Sequence, residues 1–336
     1  MNDSSGTEVK MIAKGVYVTE YMKLGILPYE VKEPEYDEVR VKTMACGVCC
    51  WDSWLFRGVN APGDMPYIIG HEGAGIIESV GSGVHDLKPG DKVFAASGSN
   101  EMMCEYFTVK RDCVVKLPDD TTDWASVVYE PTCCVVNVIE KSNIRPGDHV
   151  VLVGAGYMGQ QTLMGLTRST PAGKITVFAH NEKRREMARQ YERAEIFDPD
   201  SPEGIAEIAA IKAKGGADVC IDFSARTSGL ELADALTKQA GTLVIGSFHR
   251  SDITFNGTKW HLGGLRIYNT SPMYDAHYTE MIPRTYELIK AGIYEPEKLV
   301  THTAYFEDAE GMDYLFNRAV DKKDDYMKGI VLFTKD

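Results

Sequence analysis

The run His149-Val150-Val151-Leu152-Val153 leads directly into Gly154-Ala155-Gly156-Tyr157-Met158-Gly159. An unbroken apolar run of this length predicts a strand buried on both faces. The GxGxxG spacing carries weight because it lies between that strand and a predicted helix. The first glycine permits a tight turn, the second lets a pyrophosphate approach the backbone, and the third packs helix against strand. Amides at the helix start, including those of Tyr157 and Met158, then face the phosphates. A dinucleotide-binding α/β domain follows as the expectation.

Later segments keep the same grammar. Strand Lys174 to Phe178, helices Glu182 to Tyr191 and Pro202 to Lys214, strand Asp218 to Ile221, helix Gly229 to Ala240 and strand Thr242 to Ile245 alternate. This predicts a doubly wound parallel sheet of Rossmann type. Earlier residues, from about Glu8 to Leu117, read differently. Short alternating runs such as Glu38 to Lys42 and Glu105 to Val109, separated by Gly and Pro turns, predict antiparallel β structure. The expected domains are 1–137, β-rich; 138–298, dinucleotide-binding; and 299–336, a return to the first.

A chain of 336 residues suits two domains. Its 49 acidic against 36 basic residues give a net charge of −13, which disfavours a nucleic-acid partner. No apolar run approaches the length of a membrane helix, so no membrane partner is expected. Met1-Asn2-Asp3-Ser4-Ser5 lacks the basic-then-apolar order of a signal peptide. Eight cysteines, clustered at Cys46, Cys49 and Cys50 and at Cys133 and Cys134, point to metal or redox chemistry in the cytoplasm rather than a disulfide framework.

The type of dinucleotide is read roughly 20 residues beyond the glycine turn, where an acid would meet ribose hydroxyls. Ala179 stands there, followed by His180, Asn181, Lys183, Arg184 and Arg185. Without a carboxylate and with basic neighbours, a 2′-phosphate is welcome, so NADP(H) is favoured over NAD(H).

Gly70-His71-Glu72 is followed by Gly75, Gly81 and Val84. This spacing matches the zinc alcohol dehydrogenase signature of the medium-chain dehydrogenase/reductase family. Cys46-Gly47-Val48-Cys49-Cys50-Trp51-Asp52 resembles that family's CGxCxxD stretch. Glu130-Pro131-Thr132-Cys133-Cys134 resembles the EPxxC segment of its polyol dehydrogenase-like branch. The resemblance runs from about Val39 to Leu332. It implies a GroES-like β-rich catalytic domain beside the Rossmann domain and a homodimer or homotetramer.

By that resemblance Cys49 and His71 are metal ligands. Glu72 and Glu130 are preferred as the acidic positions, with Cys134 as rival to Glu130, and Asp52 orients a metal-bound His. Zinc takes sulfur, nitrogen and oxygen donors and keeps one catalytic position open. The stretch that would hold a second, four-cysteine zinc offers only Cys104 and Cys113, so one catalytic zinc and no structural zinc is expected.

The implied reaction interconverts a secondary alcohol and a ketone on a small polyol or sugar derivative, with hydride transfer from a zinc-bound alkoxide to the nicotinamide. By position Gly246 and Ser247 lie beside the nicotinamide, and Lys328 is placed at a cofactor phosphate. Two residues after Cys49, where most members carry Ser or Thr to relay the alcohol proton, this chain has Trp51. Three further on, where many have His, it has Trp54. An indole nitrogen donates only and cannot accept a proton. His249 is an alternative acid or base, and Trp51, Trp54, Trp260, Tyr157 and Arg250 are candidates for the substrate wall. The missing relay also leaves open an iminium or enone reductase of the same fold. A non-catalytic nucleotide-binding protein would have no use for the metal residues.

Overall fold

The computed structural model describes residues 10–59, 61–97, 101–272, 275, 277–323 and 326–335. The Met1 to Ser5 segment read for export lies outside them. Two compact units emerge, one formed up to Glu130 and again from Val300, the other from Pro131 to Leu299.

The first unit begins with β1 (Ile12–Glu20), β2 (Lys23–Glu30) and β3 (Glu38–Val48), then helix α1 (Cys50–Phe56). β4 (Tyr67–Ile68), β5 (Glu72–Val80), β6 (Lys92–Ala96), β7 (Tyr106–Lys110) and β8 (Val114–Lys116) follow. β3 is the hinge of the unit, since it pairs antiparallel with both β5 and β7. Val39, Val41, Ile77, Phe107 and Val109 bury the inner faces of these strands in one apolar core.

The second unit starts near α2 (Glu130–Ser142), so the sequence-read boundary at residue 137 falls inside a helix. It continues with β9 (His149–Val153), α3 (Tyr157–Ser169), β10 (Lys174–Phe178), α4 (Glu182–Ala188), β11 (Ala194–Phe197) and α5 (Pro202–Ala213). After these come β12 (Ala217–Asp222), α6 (Thr227–Leu236), β13 (Thr237–Ile245), α7 (Gly257–Gly263), β14 (Arg266–Asn269) and α8 (Tyr278–Lys290). The six strands form one parallel sheet in the order β11-β10-β9-β12-β13-β14. Val150, Val151 and Leu152 are fully buried, as an unbroken apolar run on a central strand requires.

Several bounds differ from the sequence reading: α4 ends at Ala188 rather than Tyr191, β11 and β14 are strands it does not contain, and α6 is shorter. The helix expected to reach Ala240 stops at Leu236, and β13 begins at Thr237. Ala240 takes φ +54°, which a right-handed helix cannot contain, and Thr237 pairs instead with Ala217.

The chain ends in β15 (His302–Tyr305), α9 (Ala309–Asp321) and β16 (Gly329–Leu332). β16 pairs antiparallel with β3, Gly329 opposite Val48, completing the seven-stranded sheet of the first unit. Among the described residues no helix is long and apolar enough to cross a membrane.

Candidate active site

Cys49 sits where β3 gives way to α1 and caps that helix. Asp52, three residues on and fully buried, accepts the Cys49 amide on Oδ2 at 2.8 Å and the Gly70 amide on Oδ1 at 3.0 Å. One carboxylate therefore ties together the two segments that carry Cys49 and His71. The β3–β5 ladder, with Cys46 opposite Gly73, brings His71 and Glu72 alongside. Gly47 has to be glycine because a Cβ there would collide with the Glu72 carboxylate. The donor atoms of Cys49, His71 and Glu72 all lie within 4.8 Å of one another.

Burial pushes the Cys49 thiol above its usual range, against the pull of His71. Burial also works against a charged His71, but the Asp52 carboxylate and the Cys49 sulfur hold that imidazole well above its usual pKa. Glu72 is wholly buried, and its Oε2 is held by the buried ammonium of Lys328, which also reaches the Val48 carbonyl at 3.3 Å. The sequence reading set Lys328 at a cofactor phosphate; here its charge is spent on Glu72. It reaches that place because β16 is stitched to β3.

At this group, His71 Nδ1 and Glu72 Oε1 are buried polar atoms without a hydrogen bond among the described residues. Asp52 Oδ1 is 3.8 Å from that ring nitrogen, too far for a hydrogen bond. Each buried group left this way costs about 1–3 kcal/mol. Sulfur, imidazole nitrogen and carboxylate oxygen are a donor set that zinc accepts, so the residues fit that metal.

Glu130 begins α2, is buried, and acts on His71 through its charge, but stands outside the 4.8 Å group. Cys134 Sγ lies 3.6 Å from the Tyr278 hydroxyl. Cys104 Sγ faces the carbonyls of Glu101 and Tyr106. Trp54 is buried, 8% exposed, with its ring 6.2 Å from that of Trp51, which packs half-buried against the apolar core of the first unit. Trp260 is elsewhere. Its indole donates to Asp234 Oδ1 at 2.8 Å and stacks 4.7 Å from Phe255. Asp234 lies in the last turn of α6, next to where β13 starts, so Trp260 belongs to the amino edge of the parallel sheet. The glycine turn is at the opposite, carboxyl edge.

The three glycines of that turn are required for different reasons. Gly154 takes φ +107°, and a Cβ on it would come within 2.6 Å of the Phe223 backbone. A Cβ on Gly159 would run into the Gly154 carbonyl. Gly156 caps α3, and the space beside it is open except for the Arg184 guanidinium, 3.8 Å from where a Cβ would be. Tyr157 and Met158 open the helix, whose first amides lack intrahelical partners.

At the end of β10 the buried Ala179 lends its carbonyl to Arg185, which also bonds Glu182 and Asp198. Arg185 is thus a structural clamp. Asn181 caps α4 by accepting the Arg184 amide at 3.0 Å. His180 Nδ1 lies 3.2 Å from Asp200 and 3.8 Å from Asp198, two acids at the end of β11 that the sequence reading did not weigh. Beyond β13, the Gly246 amide bonds the Asp222 carbonyl at 3.0 Å, and Ser247 Oγ accepts the Ala225 amide at 3.0 Å. His249 Nε2 is 2.8 Å from Asp222 Oδ2. Asp222 was also missed; an acid ending a buried strand has no sequence mark of its own.

Comparison with known proteins agrees with this arrangement. The alcohol dehydrogenase GroES-like domain profile matches residues 35–119, and the zinc-binding dehydrogenase profile matches residues 161–287. Sorbitol dehydrogenase of Bacillus subtilis (strain 168) is 25% identical, covering 96% of this chain and 97% of its own. An Escherichia coli oxidoreductase/dehydrogenase of unknown specificity superposes with a TM-score of 0.83 at 23% identity, over 97% of this chain and all of its own. A zinc-binding dehydrogenase from Sinorhizobium meliloti 1021 bound to NADP has a TM-score of 0.78 at 21% identity, over 96% and 100% of the two chains. The RspB dehydrogenase of E. coli CFT073, complexed with NADH, has 0.78 at 24%, over 96% and 99%. With the GroES-like unit, the parallel-sheet unit and the gathered sulfur, imidazole and carboxylate donors, the chain belongs to the zinc-type alcohol dehydrogenases of the medium-chain dehydrogenase/reductase family.

Proposed function

We propose that this enzyme oxidises a secondary hydroxyl of a small polyol or sugar derivative, or reduces the matching ketone, with zinc and a nicotinamide dinucleotide. The observation that carries the reading is the Cys49–His71–Glu72 group with its two unsatisfied buried atoms. Bound there, zinc supplies Lewis-acid polarisation of an oxygen. Cys49 and His71 hold the metal. Asp52 fixes the backbone at both by its two amide bonds. Lys328 balances the buried charge of Glu72 and keeps its Oε1 turned free of that ion pair. Glu130 is the further acidic position, and Cys134, engaged at Tyr278, is not a ligand. The sorbitol dehydrogenase relative and the Glu130-Pro131 segment support a polyhydroxy substrate. Trp51 shapes the wall near Cys49 and relays no proton.

The glycine turn holds the pyrophosphate, with Gly246 and Ser247 serving the nicotinamide side. The absence of an acid at Ala179 supports NADP(H), while the Arg184 guanidinium by Gly156 suits the pyrophosphate of either cofactor. Asp198 and Asp200, drawn up to His180, oppose a 2′-phosphate and weaken that preference over NAD(H). All eight cysteines are free thiols, which supports a reducing, cytoplasmic setting, and the reading includes a homodimer or homotetramer. The test is elemental analysis of the purified protein followed by a polyol panel with both cofactors. One zinc per chain and turnover of a polyol are expected. A metal-free protein that turns over only iminium or enone compounds would overturn the reading.

A further inference from the structure

In the parallel sheet the chain steps outward from β9 to β10 and β11, then returns to β12 on the other side of β9. The switch between β9 and β12 opens the crevice where α/β sheets bind ligands, outside the carboxyl ends of the strands. Asp222 is the last residue of β12 and is fully buried. It pairs with Val153, the residue before the glycine turn, and with Ile245 at the end of β13. Its Oδ1 accepts the Ser224 amide at 3.0 Å and the Ser224 hydroxyl, while its Oδ2 faces His249 Nε2 at 2.8 Å.

An ionised carboxylate only accepts hydrogen bonds, so Asp222 fixes the proton of a neutral imidazole on Nε2. That leaves Nδ1 of His249 as an acceptor, and no described residue donates to it. The ring is 11% exposed, so most of it is packed and only an edge is reachable. A dinucleotide laid across the crevice has its pyrophosphate at Gly156 and one nucleoside on the β10 side near Ala179. The other nucleoside then lies on the β12–β13 side, where this acceptor stands.

Resting on the dinucleotide reading above, we infer that His249 Nδ1, oriented by Asp222, accepts a hydrogen bond from a hydroxyl of the nicotinamide ribose. His249 is thereby a cofactor-binding residue, and Asp222 a positioning residue that sets its tautomer. Asp222→Asn tests the tautomer, because an amide at that position can donate to Nε2 and turn Nδ1 into a donor.

Three ligands separate the contact from a purely structural role: NADPH, ADP-ribose, which keeps the second ribose, and ADP, which lacks it. Affinities are measured by nicotinamide fluorescence and calorimetry on the intact protein, with no turnover required. His249→Phe is expected to weaken NADPH and ADP-ribose about tenfold and to leave ADP within about twofold. Asp222→Asn is expected to do the same with the ring still in place. Equal loss for all three ligands in both variants would mean a structural role and overturn the contact, as would no loss for any. A loss for NADPH alone would move the contact from the ribose to the nicotinamide and overturn the assignment. If the wild-type protein binds none of the three, the dinucleotide reading itself falls, and this inference with it.

Discussion

The Cys49–His71–Glu72 group and the Gly154–Gly159 turn are both candidate binding sites, yet they are built from opposite materials. The first is made of side chains drawn from the end of β3 and the start of β5, Glu72 buried and Cys49 and His71 partly so, with charges balanced by Asp52 and Lys328. The second is made of backbone within six consecutive residues, where the decisive feature is the absence of Cβ atoms. A side-chain site fails when a donor is removed. A backbone site fails when an atom is added.

That contrast is broken most severely at Cys49. Cys49→Ala is expected to lower zinc to background and to abolish polyol turnover, checked by elemental analysis and steady-state rates; a variant that keeps one zinc would remove Cys49 from the ligand set. Next in size is Lys328→Met, which strands the buried Glu72 charge and is expected to cost about 3–5 kcal/mol in urea unfolding. The double variant with Glu72→Gln should recover part of that loss, and no recovery would mean the two do not act as a pair.

The glycines sharpen the comparison. Gly154→Ala is strained by its positive φ and by the Phe223 backbone, and should lose about 1–3 kcal/mol of stability. Gly156→Ala, at φ −72° with open space around it, should keep stability or gain about 0.4–1 kcal/mol. It should nonetheless weaken NADPH binding by about tenfold or more, because the added methyl occupies the pyrophosphate's approach. Thermal melts and fluorescence titrations on the pair decide this, and a matched loss of stability in both variants would refute it. Smallest is Cys134→Ser, expected to leave zinc content unchanged; a fall in zinc would restore Cys134 as a ligand.

Much of the second unit was legible from local pattern. The apolar run of β9, the strand–turn–helix context and all three glycines appear in the structure where the pattern put them, because these features depend on short-range sterics and on burial of one contiguous segment. The end of α6 was misread because nothing in Lys238-Gln239-Ala240 opposes a helix locally; sheet pairing of Thr237 with Ala217 decided it. In the first unit the alternation of β3 predicted a strand but not its reach to Val48, which depends on partners at β5, β7 and β16. The metal residues were found by resemblance in motif order, not by any local rule.

Sequence alone therefore determined the two kinds of architecture and the glycine turn, and motif resemblance singled out Cys49, His71 and Glu72 as candidate donors and Trp51 as a residue that cannot accept a proton. Only the tertiary structure decided where charges and ring nitrogens are spent. It placed Lys328 on Glu72, Arg185 on Asp198, Trp260 on Asp234 and His249 on Asp222. Backbone conformation is set largely by a residue and its neighbours. A buried charge or ring nitrogen must instead find its partner among whatever the strand register and helix packing bring within about 3 Å.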